Sequence, residues 1–121
     1  MEAAKDLEEK RKHPRVNINL PLEYRVSDTP KARAGMAINA SESGLLVHSI
    51  KDMPVGTKLN IAVFFPKGFA LANFEVFAEV VWKENYWQEN RQECEFGLKF
   101  IQILEEDHQK LKRLLVEESK T

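Results

Sequence analysis

At 121 residues, 43% of them hydrophobic and 31% charged, the chain is sized for one domain around one core, too apolar to be disordered and too often interrupted by charge to cross a bilayer as a helix. Its net charge of −1 excludes a protein that coats nucleic acid or an anionic membrane with its whole surface. The single cysteine, Cys94, excludes an internal disulfide and any multi-thiolate metal site, and reads as a small hydrophobe in a strand.

Residues 1–9 carry Glu2, Asp6, Glu8 and Glu9 against Lys5, and are expected to form a flexible acidic leader. No apolar run lies between a basic start and a small-residue cleavage site, which predicts no secretory signal and hence a cytoplasmic location. Charge then reverses sharply: residues 10–15 hold Lys10, Arg11, Lys12 and Arg15 around His13. Such a reversal is the pattern expected of a focused anion site. Pro14 restricts His13 to extended conformations, so this arm is not a helix through that point.

From Val16 to Val26 apolar and polar residues alternate, the period of a strand with one buried face. Pro21 cannot donate to a ladder, which predicts an edge or a bulge there. Ser27-Asp-Thr-Pro30 supplies a turn. A second strand runs from Arg33 to Ile38 and leads into Asn39-Ala-Ser-Glu-Ser-Gly44; a third, Leu45 to Ile50, follows directly. After a turn at Lys51 to Gly56 comes a fourth strand, Lys58 to Phe65, then a turn at Pro66-Lys-Gly68. The fifth strand, Leu71 to Lys83, puts Phe74, Val76, Ala78, Val80 and Trp82 on one parity. Residues Glu84 to Gln92, polar apart from Tyr86 and Trp87, read as a loop, and Cys94 to Ile101 as the sixth strand.

Only the tail changes period. Leu104, His108, Leu111 and Leu115 recur at helical spacing beside Leu114, with Glu105, Glu106 and Asp107 in the first turn, where negative charge suits the helix dipole. The helix is expected to end near Glu118. Six strands joined by short turns need a closed barrel or a sandwich, with the helix as its plug.

Catalysis finds no support in the sequence. His13, His48 and His108 fall on an arm, a strand and a helix, with no HExxH motif, no cysteine partners and no clustered carboxylates for a metal. A Walker loop, GxGxxG and GxSxG are also missing. What remains is Arg11-Lys-His-Pro-Arg15 together with Asn39-Ala-Ser-Glu-Ser-Gly44. Each guanidinium is a planar fork that takes two acceptors at once, two phosphate oxygens or the O6 and N7 edge of guanine. The Asn39 side chain offers a carbonyl acceptor for the N1 and N2 donors of guanine. Ser41 adds a hydroxyl, and Gly44 leaves no Cβ and can adopt positive φ where a flat ligand would approach the backbone.

In the order and placement of these two motifs the sequence resembles the PilZ domain family, whose pattern is an RxxxR arm followed by (D/N)xSxxG at a strand junction. Arg11 and Arg15 match the first motif; Asn39, Ser41 and Gly44 match the second. The resemblance spans about residues 10–116. It includes Val80-Val-Trp82, similar to the end of the fifth family strand, where an aromatic can lie by the ligand, and Phe96-Gly-Leu-Lys-Phe100, similar to the glycine-containing last strand. It implies an all-β domain over 10–118, a six-stranded antiparallel barrel closed by a C-terminal helix. It also implies a non-enzymatic receptor for cyclic di-GMP, without metal or cofactor, in which Arg11, Lys12, Arg15, Asn39, Ser41, Gly44 and Trp82 contact the ligand. Lys10 and Lys12 stand at positions that are often basic, although lysine cannot reproduce a bidentate fork. The arm would fold over the ligand and signal to a protein partner in trans, with no nucleic acid bound and no membrane insertion. Two other readings remain: the same barrel as a protein-docking module without nucleotide, and an OB-like binder of single-stranded nucleic acid using Trp82, Tyr86 and Trp87.

Overall fold

The computed structural model describes residues 14–49 and 51–120. Six strands, β1 (Val16–Val26), β2 (Arg33–Ala40), β3 (Gly44–Ser49), β4 (Lys58–Lys67), β5 (Ala70–Gln88) and β6 (Arg91–Gln102), precede one helix, α1 (Glu105–Ser119). All pairings are antiparallel, and the strands close in the order β1-β2-β3-β6-β5-β4. Each strand thus has a neighbour on both sides over part of its length, and one-sided segments remain where the β4–β5 and β5–β6 hairpins project. The expected six-stranded barrel with a C-terminal helix is the fold observed, against five strands in an OB-fold.

The alternation read from the sequence is the alternation of burial. Ile18, Leu22 and Tyr24 of β1, Leu59, Ile61 and Val63 of β4, and Phe74, Val76, Ala78 and Val80 of β5 all point inward. A buried hydrogen bond of 3.1 Å between Tyr24 Oη and Ser49 Oγ satisfies the polar groups within that interior. Leu111, Leu114 and Leu115 of α1 complete the core from one end. It is the end at which β1, β3 and β5 begin and β2, β4 and β6 finish. Before Phe77, β5 has no β6 partner. There α1 supplies side-chain acceptors and donors instead: Asp107 Oδ1 accepts from the Glu75 amide at 3.0 Å, and Lys110 Nζ donates to the Asn73 carbonyl at 3.1 Å.

Three local expectations change. Residues Glu84 to Gln92 are not a loop: β5 and β6 continue as a hairpin beyond the barrel and turn only at Glu89-Asn90. Both faces of that hairpin are largely in water, so there is no buried face to impose alternation on its sequence. Its turn residues have φ of 52° and 65°, the left-handed pair of a type I′ turn. Trp82 leaves the inward parity of Phe74 to Val80, because the register shifts between Val80 and Trp82 and turns the indole outward, 45% exposed. Leu104, expected on the apolar stripe of the helix, is instead its exposed N-cap. Pro21 lies between a register shift at Asn17/Leu20, where Asn19 has φ of 50°, and Leu22–Val63, the first pair of the β1–β4 ladder.

Candidate functional site

Asn17 is paired with Asn39 across β1 and β2, so Arg15, two residues earlier, is a diagonal neighbour of Asn39 at a reach suited to long side chains. Arg15 Nη1 donates to Asn39 Oδ1 at 3.1 Å. Arg15 of the first motif and Asn39 of the second therefore converge. A carbonyl oxygen keeps a second lone pair when one is taken, so the contact orients Asn39 and leaves it able to accept a further donor. A register shift between Ala37 and Asn39 turns Asn39 outward between Ala37 and Ala40, both fully buried.

The rest of the second motif builds the turn. The Ser41 amide donates to the Gly44 carbonyl at 3.0 Å, and Ser41 Oγ accepts from the Ser43 amide at 3.1 Å. Ser41 is buried, with only 3% exposed, and its hydroxyl is committed to this bend. Gly44 is outside the positive-φ set; its constraint is the approach of β6, since a Cβ here would stand 2.4 Å from the Leu98 carbonyl oxygen. Glycine at this position serves strand packing. Glu42, at the tip, accepts from His108 Nε2 of α1 at 3.2 Å, tying the motif turn to the helix.

From Asn39 the strand register runs straight across the outer wall: Asn39 opposite Leu46, Leu46 opposite Gly97, Gly97 opposite Trp82. The flanking residues Ala40, Leu45, Phe96, Leu98 and Val80 are all buried, so this row faces outward. Three strand steps at about 4.8 Å make it about 14 Å wide. Gly97 contributes no side chain, and atoms of the Trp82 indole lie 3.6 Å from where its Cβ would be. The result is a flat apolar floor of Leu46, Gly97 and the indole, with Arg15 and Asn39 at one end. Lys99, exposed and paired with Gly44, stands two residues along the same face of β6. The arrangement can stack a planar base on Trp82 and Gly97 while cations meet its phosphates.

Along the same outward face of β6, Glu95 follows Gly97 toward the hairpin, opposite His48 and Glu84, and Glu93 lies beyond it. Glu93, 6% exposed, accepts from His48 Nε2 at 2.6 Å and Arg91 Nη2 at 3.4 Å.

The structure thus brings together Arg15, Asn39, Ser41 and Gly44, and places Trp82 at the far end of the Asn39 row, while Arg11 and Lys12 lie outside the described residues. Leu46, Gly97 and Lys99 were not singled out as contact residues. The inward parity of Phe96, Leu98 and Phe100 already implied that Gly97 and Lys99 share the outer face; nothing in the sequence could say which strands stand beside it.

No curated protein matches the chain in sequence. Among solved structures, the Bacillus subtilis inhibitor of motility (MotI/DgrA) superposes with a TM-score of 0.74 at 17% identity, over 92% of this chain and 51% of that one. The PilZ domain of YcgR from Escherichia coli, solved with cyclic di-GMP, gives 0.69 at 12% identity over 92% of each chain. PlzA from Borreliella burgdorferi, in complex with cyclic di-GMP, gives 0.61 at 12% identity over 98% of this chain and 53% of that one. The chain spans about half the length of MotI/DgrA and of PlzA, and at these identities the likeness is one of fold. No helix among the described residues is long and apolar enough to cross a membrane. A family model described as the PilZ domain matches residues 9–117, a span that takes in both motifs, the whole barrel and most of α1, and the chain belongs to the PilZ domain family.

Proposed function

We propose that this domain is a cytoplasmic receptor for cyclic di-GMP that reports its occupancy to a protein partner and catalyses no reaction. The observation that carries the reading is the 3.1 Å hydrogen bond between Arg15 and Asn39, which sets a guanidinium fork and an amide carbonyl at one end of a flat outward floor. In this reading Asn39 accepts from a guanine N1–H or N2–H, a base lies over Gly97 against Trp82, and Arg15 and Lys99 meet phosphate oxygens. Arg11 and Lys12 close over the ligand from the arm. Binding then fixes the arm against the barrel wall and changes the surface on offer to a partner. That YcgR and PlzA are solved with the same nucleotide on the same fold supports the ligand identity.

Calorimetric titration of the wild type and of Arg15→Ala tests the reading. The wild type is expected to bind cyclic di-GMP saturably. Arg15→Ala should bind at least tenfold more weakly, since hydrogen bonds to a charged group contribute about 1.5–3 kcal/mol, and its unfolding midpoint should stay unchanged because Arg15 is exposed.

A second reading has its own observation. Ser41 and Gly44 are fully accounted for by the turn and by the approach of Leu98, so part of the motif would persist in a domain that docks proteins and binds no nucleotide. Absence of heat with the wild type at high micromolar ligand would favour it.

A further inference from the structure

Along the other side of α1, facing away from the motif turn, a groove of about 200 Å³ opens between the helix and the β4–β5 hairpin. Phe65 and Leu114 form its buried floor. Lys67 lines it from the hairpin, while Lys110, Arg113, Leu114 and Glu117 line it from one helix face at i, i+3, i+4 and i+7 spacing. Three cations face one carboxylate, a local excess of two positive charges on a chain whose net charge is −1. The hairpin turns in two residues, Gly68 with φ of 63° and Phe69. The turn chemistry requires glycine at the first and makes no demand for an aromatic at the second. Phe69 is nevertheless fully exposed, at 112%, and Leu71 beside it is 70% exposed.

We infer that this groove is the partner-docking surface, and that its occupant is an acidic protein segment that inserts one bulky apolar side chain. Small-molecule sites occupy about 300–1,000 Å³; this groove is smaller and suits a single side chain. Phe69, next to the groove-lining Gly68, extends the apolar contact at its rim, and Lys67, Lys110 and Arg113 meet the carboxylates that flank the anchor. A flat anionic membrane would leave the concave apolar floor unfilled, whereas an inserted side chain covers it. The same helix holds Glu42 of the motif turn through His108, so groove and turn share one rigid element. The assignment rests on the reading that the domain acts on a protein partner; its test needs no nucleotide, so it can fail while the nucleotide reading stands.

The probe is a short fluorescent peptide of Asp and Glu residues with a central Leu-Phe pair, titrated into the full chain by anisotropy and into ¹⁵N-labelled chain by amide chemical shifts. Saturable binding is expected, with shifts at Gly68, Phe69, Lys110 and Arg113. Lys67→Glu with Arg113→Glu, and separately Phe69→Ser, should each weaken it about tenfold or more. All three residues are exposed, so the variants should keep the wild-type circular dichroism spectrum. The assignment fails if no binding saturates by about 1 mM peptide, or if a Ser-Ser peptide of the same charge binds equally. It also fails if phosphatidylglycerol vesicles bind through the groove and exclude the peptide. Neutralising Glu2, Asp6, Glu8 and Glu9 in the full chain offers one more outcome: groove shifts without any peptide would make the leader the occupant and overturn binding in trans.

Discussion

A Cβ added at Gly44 would stand 2.4 Å from a backbone oxygen of β6, whereas one at Gly97 would meet only the Trp82 side chain at 3.6 Å, an ordinary contact. The two glycines therefore answer to different demands. Gly44→Ala must push β3 and β6 apart and is expected to destabilise the fold by about 1–3 kcal/mol, read as a lower urea midpoint without ligand. Gly97→Ala should leave that midpoint within about 0.5 kcal/mol yet weaken cyclic di-GMP binding, because the new methyl rises from the floor. If Gly97→Ala bound the nucleotide as the wild type does, the floor would be misplaced. Cys94 gives a further expectation. Burial, 1% exposed, pushes its thiol up from the ordinary value, with Asp52 adding to the shift. A raised acid group stabilises the fold below its unfolded pKa, and that contribution is lost as pH rises through the folded value. Stability should therefore fall from about pH 8 upward, and chemical denaturation should show a smaller alkaline loss in Cys94→Ala.

Among the elements, the β5–β6 hairpin is where local chemistry is least settled. Glu89 and Asn90 both adopt the left-handed conformation, which costs a non-glycine residue about 1–2 kcal/mol. The pair Asn-Gly is suited to this turn. Glu89→Asn with Asn90→Gly is expected to stabilise the domain by about 1 kcal/mol, seen as a higher melting temperature; no change would mean that the tip frays independently of the barrel. The same hairpin marks the limit of what the sequence made legible. Alternation located β1, β4 and the barrel portion of β5 because each has one buried face, and the leucine spacing located α1. It failed from Glu84 to Gln92, where neither face is buried, and at Trp82, where one extra residue in the strand reverses the parity that alternation assumes. Of the site, Arg15 and Asn39 were legible from residue chemistry. Leu46, Gly97 and Lys99 became site residues only through β3 lying beside β6, a pairing between segments far apart in sequence that no local pattern encodes.

At the scale of the molecule, one helix serves two surfaces. Its leucines plug the barrel, His108 holds the motif turn through Glu42, and Lys110 and Arg113 line the groove on the other side. The Asn39–Trp82 floor and the groove share no residue. Two elements run between them: β5 carries both Ala72 of the groove and Trp82 of the floor, and α1 lines the groove and holds the motif turn. Where cyclic di-GMP lies on this domain is tested most directly by amide chemical shifts of ¹⁵N-labelled chain titrated with the nucleotide. Saturable shifts are expected at Asn39, Leu46, Gly97, Trp82 and Lys99, with Phe69, Lys110 and Arg113 moving far less. A spectrum that does not change, or one in which the largest shifts fall on the groove residues while the Asn39–Trp82 row stays still, would contradict the account.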